Sequence, residues 1–190
     1  MIPTIKYLLM TIKHKYFVFV AGRKTRAPVW RLVIHDWTKF LPCEAPYYGR
    51  QFFGDRGDKT GFARAWIHHQ NSNPHHWEYW QNRSIHNRAT NPIDPDDWLC
   101  PMPEWAVREM VADWMGASRA YTGHNPTDWN WPWLRKNLVS RVLPNIHPKT
   151  RLVLMRVLKE VLGAIPPDGL NTDIVYAGFS KRGNYVDQNK

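Results

Sequence analysis

Cysteine is scarce: only Cys43 and Cys100 occur among the 190 residues, and no CxxC pair is present. A disulfide scaffold and a cysteine-built zinc ribbon are therefore not expected, and a reducing compartment is the default. Long apolar runs are also missing. No stretch of 18 apolar residues occurs, so no membrane-spanning helix is expected. Residues 4–20 are the most apolar segment, but Lys6, Lys13, His14 and Lys15 interrupt them, which excludes the core of a signal peptide. The expectation is a cytoplasmic protein without a membrane partner. Acidic residues are few, 16 against 26 basic ones, for a net charge of +10. That balance favours anionic partners, either a small molecule such as a nucleotide or nucleic acid. There is no His-Glu-x-x-His zincin motif, no internal repeat and no low-complexity segment.

What is present suits one domain. The chain is 43% hydrophobic and has 11 tryptophans, ample for a core. Apolar periodicity predicts an all-α, single-domain bundle of about six to seven helices. The first covers 4–21, with Ile5, Leu8, Leu9, Ile12, Tyr16, Phe19 and Val20 as its apolar stripe, and Gly22 as a stop. His14 lies beside that stripe, in line with Tyr7, Met10 and Val18. A second helix is predicted over 28–40, a third over 60–69 and a fourth from Pro74. Residues 43–60 read as loop. Further helices are predicted over 104–121, 133–143 and 148–162, the last stopped by Gly163. The helical domain is taken as 1–163, with 83–103 a loop insertion or lid and 164–190 an irregular tail.

Chemistry concentrates in two stretches. In Trp30–Phe40 an adjacent His35-Asp36 pair sits in an apolar run, and Asp36 continues the stripe of Val29, Leu32 and Val33. The stretch from Trp66 to Trp80 packs His68, His69, His75 and His76 into nine residues. Asp113 likewise falls where the stripe of Ala106, Met110 and Ala117 calls for a core residue. Buried carboxylates are costly unless paired or bound to a cation. Imidazoles with carboxylates are the donor set of divalent transition metals such as Mn, Fe, Co, Ni or Zn. Helical faces favour His69 and His76 as ligands over their neighbours. His86, His124 and His147 read as surface residues, and the tryptophans as core and interface.

The order His14, His35-Asp36, Asp113, with Lys39 three residues after the pair, resembles the HD-domain superfamily of metal-dependent phosphohydrolases, in an uncharacterised phage or bacterial branch. The resemblance covers roughly residues 10–117. It implies one or two metal ions held by His14, His35, Asp36 and Asp113, with the histidine cluster as additional ligands, and Lys39 near the phosphate. The spacing from His14 to His35 is short for that superfamily, and the Gly-Tyr-Pro signature of its cyclic-dinucleotide branch is absent. The implied activity is hydrolysis of a nucleotide or similar small phosphoester by a metal-activated water. Asp36, Lys39 and His75 would be the catalytic set, His75 as ligand or general acid. Lys39, Arg23 and Asn73 would contact substrate, although capping explains Asn73 equally well. The alternative is a basic nucleic-acid-binding protein or a metal-dependent nuclease.

Overall fold

In the computed structural model, which describes residues 2–82, 98–127 and 131–163, seven α-helices and no strand occur. They are α1 (Pro3–Thr25), α2 (Val29–Ile34), α3 (Ala45–Phe53), α4 (Lys59–Ser72), α5 (Glu104–Thr122), α6 (Pro132–Asn137) and α7 (Pro148–Leu162). Short 3-10 turns at Trp37–Phe40 and Trp77–Trp80 follow α2 and α4. The tail from 164 and most of the expected lid, residues 83–97, lie outside the described residues.

Helix α5 is the axis of the bundle. Ala106, Val107, Met110, Val111, Ala112, Trp114 and Met115 are buried along it, meeting α1 on one side and α7 on the other. Helix α7 adds Leu154, Met155, Val157 and Leu158. It begins at Pro148 behind His147, whose Nδ1 accepts from the Lys149 amide at 3.0 Å. His147 is thus a buried cap and not the surface residue expected. Gly163, at φ 82°, ends α7 where the sequence placed the stop. A smaller cluster, Tyr7, Tyr48 and Ala65, joins α1, α3 and α4.

Three expectations fail for local reasons. Gly22 does not stop α1, which runs to Thr25 and closes on Arg26 in the left-handed region. The glycine is kept small by packing: a Cβ there would lie 2.3 Å from Leu32 Cδ2. Residues 45–53 form α3 although they read as loop. Pro46 is tolerated in the first turn, and Gly49 is needed because α1 crosses so close that a Cβ would meet Thr4 Cα at 2.7 Å. The apolar stripe of α1 is the third. Ile5, Leu9, Ile12, Tyr16 and Phe19 are exposed, while Tyr7, Thr11, Val18, Ala21, Gly22 and Thr25 face the core.

Small residues bring α1 and α5 together. A Cβ on Gly116 would fall 2.6 Å from Val18 Cγ2 and 2.8 Å from the Val18 backbone nitrogen. Backbone cannot yield as a flexible side chain can, so Gly116→Ala is expected to destabilise the fold by about 1–3 kcal/mol. Denaturant unfolding measures this. The same substitution separates His14 from Asp113, so metal affinity should fall with it.

Candidate metal centre

The predicted second helix breaks where the chemistry begins. Helix α2 ends at Ile34, His35 leaves helical geometry at φ −48° and ψ 131° in a turn, and Asp36 sits in the left-handed region at φ 57°. Asp tolerates that conformation better than most residues, at some cost in strain. On one continuous helix His35 and Asp36 would diverge by about 100°; the break lets both turn inward. Lys15 on α1 pins the broken end, its ammonium donating to the carbonyls of Val33 and His35.

Around Asp36 two groups of donors form. In the first, His14 Nε2, His35 Nε2, Asp36 and Asp113 come from α1, the break after α2, and α5. His14 Nε2 lies 2.9 Å from Asp113 Oδ1 and 3.5 Å from Asp36 Oδ2. His35 Nε2 lies 3.4 Å from Asp113 Oδ1 and 3.5 Å from Asp36 Oδ2. In the second, Asp36 Oδ1 is 3.3 Å from His69 Nε2 and 3.4 Å from His75 Nε2, with His76 completing the set. Within each group the ligand atoms lie within 4.8 Å of one another, and Asp36 belongs to both.

These residues fit a metal. Nε2 of His14, His35, His69, His75 and His76, and Oδ1 of Asp36, are buried without a hydrogen-bond partner. Such orphaned atoms are rare in native proteins and call for an explanation. Ligand bonds of about 2.0–2.2 Å put neighbouring ligand atoms roughly 3–3.6 Å apart, close to the separations found here.

A second layer of carboxylates aims the imidazoles. Glu109, fully buried on α5, lies with Oε1 3.1 Å from His35 Nδ1 and 3.3 Å from His75 Nδ1, while Oε2 accepts from Arg31 Nε at 2.7 Å. Glu44 Oε2 is 3.0 Å from His69 Nδ1. At His35 and His69 a carboxylate accepting at Nδ1 fixes the tautomer with a free lone pair on Nε2, as metal-ligating histidines require; His75 Nδ1 stands near Glu109 without a hydrogen bond.

Charge follows the geometry. Burial would raise the Asp36 pKa, but His35, Lys39 and His69 hold it well below the usual carboxylate range. Asp113 is likewise held down, against burial, by His14 and His35. For His14 the lowering effect of burial is outweighed by the neighbouring carboxylates of Asp113 and Asp36, so its pKa rises. His76 is pushed well below the ordinary value by burial and by His75 and His69, and stays neutral. Glu109 falls to about 2: burial opposes its ionisation, and the imidazoles of His35 and His75 prevail.

The predicted residues do not all meet. His14, His35, Asp36, His69, His76 and Asp113 converge. So does His75, which is buried among the donors and does not line the cavity. Lys39 donates to Asp36 Oδ2 at 2.5 Å and borders the cavity beside the donors. The fourth predicted helix is absent; a turn followed by the 3-10 segment lets His75 and His76 both face inward. Asn73 does not face the cavity. It is buried, donating to Thr38 Oγ1 and the His69 carbonyl at 2.8 Å each, and so steadies His69. Arg23 is exposed in the last turn of α1, nine residues beyond His14, or roughly 13 Å along the helix. His68 stands outside both groups, half-exposed against Glu44 at 2.7 Å.

Glu109 and Glu44 were missed. Glu109 had a readable signal, an acid one helical turn before Asp113 among buried positions; Glu44 had none, lying in an apparent loop. Beside the donors a cavity of about 260 Å³ opens, walled by Tyr7, Tyr48, Phe52 and Trp66 with Lys13 and Lys39.

A described protein family matches residues 4–160, DUF5662, a family of unknown function. The chain belongs to DUF5662. No curated protein and no solved structure matches it. The match spans every donor of this DUF5662 protein, from His14 to Asp113, and the carboxylates behind them.

Proposed function

We propose that this protein is a metal-dependent phosphohydrolase of the HD type, acting on a nucleotide or similarly small phosphoester. The observation that carries the reading is the convergence of orphaned imidazole nitrogens on both oxygens of one buried aspartate. A bound divalent cation such as Mn, Fe, Co, Ni or Zn would lower the pKa of a coordinated water and polarise a phosphoryl oxygen. The chain supplies the rest. His14, His35, Asp36 and Asp113 would hold one ion, and Asp36 with His69, His75 and His76 a second. Lys39, at the edge of the cavity, offers a cation to the phosphate, and the aromatic walls take the organic group. A cavity of about 260 Å³ suits a mononucleotide-sized ester better than a duplex. The net charge of +10 favours a second reading, a metal-dependent nuclease.

The test is elemental analysis followed by a screen of nucleoside mono-, di- and triphosphates, and of DNA and RNA, with each metal. Chelator-sensitive phosphate release from small esters supports the proposal. Cleavage of polymers alone favours the nuclease, and a metal-loaded protein inert on all of them removes the enzyme reading. Lys39→Ala is expected to lower kcat/KM about a hundredfold while leaving metal content unchanged. Steady-state kinetics with elemental analysis of the same sample measures both.

A further inference from the structure

The outward stripe of α1 follows a strict pattern. Ile2, Ile5, Leu9, Ile12, Tyr16 and Phe19 alternate spacings of three and four residues, and each is 37 to 64% exposed. That spacing is the seam of paired helices, in which apolar side chains repeat every 3.5 residues on average. It lies opposite the face that α1 packs on the core. On α2, which packs against α1, and on the turn after it, Val29, Trp30, Val33, Ile34 and Trp37 are 40 to 61% exposed. Lys15 ties the two elements together through the carbonyls of Val33 and His35, so its charge is satisfied at their junction.

We propose that this two-helix face is the interface with a second copy of the chain. Area is the first argument. At these exposures the face presents apolar surface on the order of 1,000 Å², since each large aromatic alone can bury ~150–250 Å². The largest apolar patch of a monomer is typically ~300–600 Å², whereas a stable interface needs ~800 Å² from each partner. Self-complementarity is the second: a helix seam of this spacing packs against an identical seam about a two-fold axis. The composition also suits a dry interface. Isoleucine, leucine and valine form much of it, and the exposed Lys6 and Lys13 stand on one flank, where a polar rim belongs. Their mutual repulsion is exposed and salt-screened.

Sedimentation analysis of the full chain tests this, with Leu9→Glu, Val33→Glu and Tyr16→Gln as variants checked for helicity and metal content. A wild-type dimer is expected, and each variant should weaken association on the order of a hundredfold without loss of metal. Tyr16→Gln, at a site 62% exposed, guards against failure to fold. A wild-type monomer overturns the proposal, whether residues 164–190 cover the face or the monomer instead binds anionic phosphatidylglycerol vesicles. A dimer that survives a folded variant of the face overturns it as well.

Discussion

Asp36→Asn is expected to empty both donor groups at once. Asparagine keeps the left-handed backbone that the break after α2 requires, so the fold should persist. What disappears is the charge between His14 and His35 on one side and His69 and His75 on the other. Bound metal should fall to background in elemental analysis, and any phosphoesterase activity should drop by at least about a thousandfold. Lys39 loses its buried partner, so the variant should also be less stable than metal-free wild type. His14→Ala is the instructive contrast. It touches the first group alone, and metal bound by the second should remain.

Glu109→Gln should produce the second large effect through stability and metal affinity together. The carboxylate serves Arg31, His35 and His75, and it is completely buried. The amide leaves Arg31 without a charged partner and offers the imidazoles a weaker acceptor. A loss of about 3 kcal/mol in unfolding free energy is expected, with metal affinity reduced about 10- to 100-fold. The pH dependence carries the same signature. With the folded pKa depressed to about 2 from 4.5, Glu109 contributes stability that is fully present above pH 4.5. That contribution is lost as pH falls from there through about 2. Acid unfolding of metal-free Glu109→Gln should therefore show a shallower decline over that window than wild type. Denaturant titrations at stepped pH measure the difference.

Much of this architecture was legible because periodicity reports helices well. The runs that became α5 and α7 were read close to their true bounds, α1 was read four residues short at its end, and Asp113 stood out as an acid on an apolar stripe. Periodicity says that a face is apolar, not which way it points. The sequence reads a broad apolar stripe on α1, yet the core takes the opposite face, built from Thr11, Ala21, Gly22 and Thr25 because small residues allow close approach. The break at His35-Asp36 was hidden for a related reason. Val29, Leu32, Val33 and Asp36 keep helical spacing, so nothing in the pattern signals the left-handed residue. Helix α3 was masked by Pro46 and Gly49, each of which its place in the fold permits. The histidine cluster announced itself by composition, but its orientation depends on Glu44 and Glu109, contributed from distant parts of the chain.

The most direct measurement is a calorimetric titration of metal-free protein with Mn or Zn, paired with the same titration of Asp36→Asn. The expected result is saturable binding of one or two ions per chain in the wild type and none in the variant. A well-folded wild-type protein that takes up no divalent ion, or a variant that binds as the wild type does, would contradict the account.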